Sequence, residues 1–127
     1  MKRWLPLTYE PKIAGVLDGT IRQTIRKGRR YWEGDEVAFH GWSGKPYRSP
    51  WSFRTGYYPL KEVYEIDIRP DGILIHSMIE KYVVVVYPWE QLDEIAELDG
   101  IDPPTGEALR DALLGMGCTG SAQILRW

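Results

Sequence analysis

Glu62-Val63-Tyr64-Glu65-Ile66-Asp67-Ile68-Arg69-Pro70-Asp71-Gly72-Ile73-Leu74-Ile75-His76 reads as two strands, 62–68 and 73–76, folded back on each other. Asp71-Gly72 marks the hairpin turn between them. A third strand, 81–87, follows. Its run Val83-Val84-Val85-Val86 shows no alternation, so both faces are expected to be buried, as in a central strand. Beyond it, Pro88 opens a helix with Trp89, Leu92, Ile95 and Ala96 as an inner stripe and Glu90, Asp93, Glu94 and Glu97 on the wet side. Asp102-Pro103-Pro104-Thr105 starts a last helix whose stripe is Ala108, Leu109, Ala112, Leu113 and Met116, ended by Gly115 and Gly117. A closing strand covers 121–127.

Toward the N-terminus, Thr8 or Glu10 can cap a helix with Pro11 in its first turn. Ile13, Val16 and Leu17 give it one buried face, and Gly19 stops it. The strand 22–26 places Arg22, Thr24 and Arg26 on one face by period two. A basic loop, 27–30, leads to a turn at Glu33-Gly34-Asp35 and a strand over 36–40. Residues 41–60 read as a long loop or irregular hairpin rich in Gly, Pro, aromatics and Arg. The order predicts an α+β fold: a mixed, mostly antiparallel sheet, curled or barrel-like, with flanking helices.

At 127 residues, 43% apolar and 27% charged, the chain is sized for one domain over 1–127 with a core of its own. The apolar run 82–89 is broken by Pro88 and falls far short of the ~20 residues of a membrane span, so no membrane partner is expected. No signal-peptide core precedes it, and the lone Cys118 forms no internal disulfide. A cytoplasmic location and a monomeric state are the expectations. Charge is unevenly spread: residues 1–61 carry 12 Lys/Arg against 5 Asp/Glu, and residues 62–127 carry 4 against 13. Either the halves neutralise each other on folding, or the first half offers a polyanion-facing side.

Taken in order, the capped helix ending at Gly19, Thr24-Ile25-Arg26, Gly34-Asp35 before a strand, the segment Ile95-Ala96-Glu97-Leu98-Asp99-Gly100-Ile101 and the ending Ile124-Leu125-Arg126-Trp127 resemble the ASCH domain family. The likeness spans nearly the whole chain. It implies a PUA-like open β-barrel with helices flanking a cleft, and a role with RNA or a nucleoside. In the family a Gly-x-Lys-x-x-Thr-x-Arg segment lines the cleft; Gly19, Thr24 and Arg26 match it, and Ile21 stands in the lysine position. The members that deacylate N4-acetylcytidine rely on a lysine, a threonine and an acid. By resemblance Thr24 and Asp99 would be two of the three. Isoleucine neither gives nor takes a proton, which argues against the amidohydrolase mechanism.

The residues, taken together with what the resemblance implies, allow three functions. In the first, the chain binds RNA or a nucleotide. Arg22 and Arg26 grip phosphate, or Arg26 instead ties strand to helix through Asp99. Thr24 and Asp99 meet the ligand's polar edge. Nine of the chain's sixteen aromatics fall within 31–58, interleaved with Lys45, Arg48 and Arg54 and with no acid between Glu36 and Glu62. Trp42, Tyr47 and Trp51 would stack on unpaired bases, or pack inside as local core. In the second, Thr24 and Asp99 serve a small nucleoside amidohydrolase or RNA hydrolase. In the third, the aromatic loop docks a protein partner. His40, His76 and Cys118 are too scattered for a metal site, and no cofactor is implied.

Overall fold

The computed structural model describes residues 1–7, 9–42, 51–76 and 84–127, with Glu10, Pro11, Trp42, Trp51, Ser52, Val84 and Val85 described as backbone only. Thr8, the start of the 81–87 strand and the segment 43–50, with Lys45, Tyr47 and Arg48, lie outside the described residues. The chain runs β1 (Lys2–Pro6), α1 (Glu10–Asp18), β2 (Gln23–Lys27), β3 (Glu36–Trp42), β4 (Trp51–Arg54), β5 (Tyr58–Pro59), β6 (Glu62–Arg69), β7 (Gly72–His76) and β8 (Val84–Pro88). A 3₁₀ turn (Trp89–Gln91), α2 (Asp93–Leu98), α3 (Gly106–Gly115) and β9 (Gly120–Arg126) complete it. The fold is α+β with mostly antiparallel sheets: the one parallel pairing among the described residues joins β1 to β3.

Five strands form one sheet in the order β2-β9-β6-β7-β8. The other sheet is β1-β3-β4, with β5 also paired to β3. The five-stranded sheet serves two cores. On one face Ile25, Ile66, Ile68, Ala122 and Ile124 meet Trp89, Leu92, Ala96, Leu109 and Leu113 from the helical segment. On the other, Val63 and Leu125 meet Leu5, Leu7, Val37 and Phe39 of the second sheet, with Val16 of α1 closing one end. Strand alternation sorts these residues: Ile124 faces the helices and Leu125 the opposing sheet.

The helices end as their sequences imply, with Thr105 accepting a hydrogen bond from the Ala108 amide at the start of α3 and Gly19 left-handed after α1. At the other end of α1 the N-cap is Tyr9 rather than Glu10. Leu17 is half exposed, because α1 turns Lys12 and Val16 inward instead. Met116 is exposed just past α3.

Two expectations about the hairpin region change. Pro70-Asp71 form the two-residue turn, since Arg69 pairs with Gly72. Gly72 is required by close approach: a Cβ there would lie 2.1 Å from the Tyr87 carbonyl oxygen. The valine strand is not central. Among the described residues β8 is a sheet edge, with Val86 and Tyr87 more than a third exposed. An unbroken apolar run fits a covered strand, but position in a sheet follows from long-range pairing, and β9 and β6 take the centre. No helix among the described residues is long and apolar enough to cross a membrane.

Gly106 fixes how closely α3 approaches the 3₁₀ turn, for a Cβ there would lie 1.5 Å from the Trp89 carbonyl oxygen. Gly106→Ala is therefore expected to destabilise by at least about 1–3 kcal/mol. Gly115→Ala, with nothing within 4 Å of the added methyl, should stabilise by about 0.5–1 kcal/mol. Thermal denaturation of the two variants checks the contrast; equal shifts would remove the packing argument.

Candidate functional site

Among the described residues β2 pairs with β9 alone, and β1 with β3 alone. A cleft of about 70 Å³ lies between β1 and β2. Pro6 and Leu7 line it from the β1 side, Thr24 and Arg26 from β2, Lys12 from α1, and Asp99 and Ile101 from beyond α2. The volume holds a few waters or one functional group, well below the ~300 Å³ at which sites enclosing whole small molecules begin. A larger ligand can place only a polar edge inside.

At the cleft, Lys12 Nζ stands 3.2 Å from Asp99 Oδ2, with both side chains under a tenth exposed. Gln23 Nε2 donates to Asp99 Oδ1 at 3.3 Å and to the Ile95 carbonyl at 3.2 Å. Gln23 Oε1 in turn accepts from Arg126 Nε at 2.9 Å. Burial pushes Lys12 below the usual amine range, against the attraction of Asp99. Burial likewise pushes Asp99 above the usual carboxylate range, against Lys12 and the Gln23 hydrogen bond. Each group is drawn toward its neutral form by desolvation and held charged by the other. Thr24, almost fully buried, accepts a hydrogen bond at Oγ1 from Arg26 Nε, 3.2 Å away.

Thr24, Arg26 and Asp99 thus line one cleft. Arg22 does not join them. β2 begins at Gln23, so strand period two does not reach Arg22. Its Nε donates to the Gly19 carbonyl at 3.1 Å, and it lines separate clefts with Lys61 and Trp127. The ion-pair partner of Asp99 is Lys12. Ile21 supplies no amine; its side chain lies 3.3 Å from where a Cβ at Gly100 would stand. Lys12 went unnoticed because a lysine in an amphipathic helix normally faces water. Its one sequence signal is its place four residues before the buried Val16.

Arg54 lies on β4 across from His40. The Trp42 and Trp51 side chains and Lys45, Tyr47 and Arg48 lie outside the described residues. Several cations of the first half do find acids of the second: Lys12 with Asp99, and Arg29 with Glu65 and Asp67. His76 also sits on Asp67, 3.1 Å away. Cys118 is buried, and desolvation pushes its thiol up, away from nucleophilic use. Among the described residues no three His, Cys, Asp or Glu side chains are placed to hold a metal ion. No protein-family model, curated protein or solved structure matches the chain.

Breaking the pair from either side should give opposite pH profiles. In Lys12→Met, Asp99 folds neutral with a raised pKa, so stability is greatest at low pH and falls as pH rises from about 3.9 through the folded value. In Asp99→Asn, Lys12 folds with a lowered pKa, so stability rises as pH climbs toward its unfolded value of about 10.4. Each variant should lie about 3–5 kcal/mol below the parent at neutral pH. Thermal melts from about pH 5 to about pH 9 read the slopes, and parallel profiles for the two variants would contradict a buried pair.

Proposed function

We propose that this chain is an ASCH-like domain with a PUA-like open barrel that binds RNA or a nucleotide at the cleft between β1 and β2. One observation carries this reading: Lys12, Thr24, Arg26 and Asp99, drawn from three separate elements, converge on one small cleft whose remaining wall is mostly apolar. Two mostly antiparallel sheets, with helices packed on the five-stranded one, support the open-barrel likeness. The cleft takes the polar edge of a base, where buried hydroxyl, amine and carboxylate groups read donors and acceptors. Arg26, partly exposed beside Thr24, meets a phosphate.

A second reading, nucleoside amidohydrolase, is favoured by Lys12. The amine that the Ile21 position lacks is supplied from α1, next to the same acid and lining the same cleft as Thr24. This reading requires the Lys12 amine in its neutral form, the form that burial favours, to accept the Thr24 hydroxyl proton. Asp99 holds that amine in place, and the Arg26 guanidinium on Thr24 Oγ1 stabilises negative charge developing there.

Fluorescence anisotropy with single-stranded RNA tests the first reading. Binding should weaken as salt rises, and Arg26→Ala should cost about tenfold or more and flatten the salt slope by roughly one charge. No binding at low salt, or unchanged binding in Arg26→Ala, would overturn it. For the second reading, N4-acetylcytidine should be turned over by the parent and not by Thr24→Val. Absence of turnover by a folded protein that still binds RNA would leave binding as the function.

A further inference from the structure

The outer face of the β1-β3-β4 sheet carries a group of rings and cations that the cleft does not use. Trp4 and Tyr57 are each more than a third exposed. Their rings meet edge to face at 5.5 Å between centroids, and Trp4 also meets the His40 ring at 6.0 Å. Lys2 Nζ sits 5.1 Å from the Tyr57 centroid. On the next strand Arg54 pairs in register with His40, and His40 pairs in register with Pro6 on the other side. Pro6 lines the cleft and lies two residues from Trp4 on the same strand face, about 7 Å along it. The platform is therefore continuous with the cleft mouth. Glu36, beside Lys2 in register, is the acid of this face and sits at its far end from the cleft.

The charges on this face reinforce one another. Burial, together with the nearby positive charges of Arg54 and Arg26, pushes His40 below the usual imidazole range. Arg26 thus acts on both the cleft and the platform. Positive potential beside exposed flat rings is what an unpaired base and its phosphate need. The ring stacks on the base whatever its identity, and the cations follow the backbone.

We infer that Trp4, with Tyr57 beside it, stacks a base adjacent to the nucleotide held at the cleft, and that Lys2 and Arg54 flank its phosphate. The ligand is then a single-stranded nucleic acid rather than a free nucleoside. This inference rests on the nucleotide reading of the cleft and adds the direction in which the strand leaves it, along β1 from Pro6 toward Lys2.

The test compares fluorescently labelled ligands of increasing length: a mononucleotide, then mixed-sequence RNA and DNA strands of two, four and eight nucleotides. Affinity should rise about tenfold or more once a second base is present. Trp4→Ala should lose that gain, so that the longer strands bind only as tightly as the mononucleotide. Trp4→Phe should restore most of it, and circular dichroism checks that both variants fold. A gain in RNA alone or in both kinds of strand supports the platform. A mononucleotide that binds through Arg26 with no gain on lengthening overturns the platform and leaves the cleft reading standing. A gain that depends on Trp4 but not on Arg26 overturns the cleft reading and keeps the platform. No binding of any probe overturns both.

Discussion

The Lys12–Asp99 pair is the interaction on which the site depends. Two ionic groups taken out of water cost several kcal/mol each before their attraction is counted. The protein offsets this with close approach, 3.2 Å, and with a second donor to Asp99 from Gln23. A well-packed apolar pair of equal volume would join α1 to the end of α2 at least as firmly. What an apolar pair could not provide is an amine and a carboxylate in the wall of the cleft. The pair is thus better understood as setting the chemistry of the cleft than as holding the fold together.

The five-stranded sheet makes that placement possible. Both of its faces are covered, so its central strands must bury polar side chains as well as apolar ones. Two amides resolve this. Gln123 donates to the Tyr31 carbonyl and to Glu65, and accepts from the Tyr31 amide. Gln23 bridges Arg126 and Asp99. These bonds satisfy buried polar groups whose isolation would be costly. The second bridge also holds the acid of the cleft at a fixed distance from β2.

Electrostatics divides the basic half of the chain into two groups. Lys12 and Arg29 are matched by acids from the second half, so part of the charge asymmetry is internal neutralisation. Arg26 and Arg54 both oppose the charged form of His40, whose ring meets the exposed Trp4. That combination is the physical basis for reading this side of the molecule as the one that faces a polyanion.

Local pattern determined a good deal by itself. The helix stripes at Leu92, Ala96, Leu109 and Leu113, the Thr105 cap, the hairpin near Asp71 and the shared face of Thr24 and Arg26 all follow from spacing and turn chemistry, which act over a few residues. The tertiary structure alone decided what depends on distant partners. The valines of β8 lie at an edge because strand order is set by long-range pairing, and Arg22 falls outside the cleft because β2 starts one residue after it. Lys12 is a site residue only because Asp99 meets it from the far end of the chain: a buried charge is tolerable where a partner compensates its lost hydration, and no local pattern shows where that partner will be.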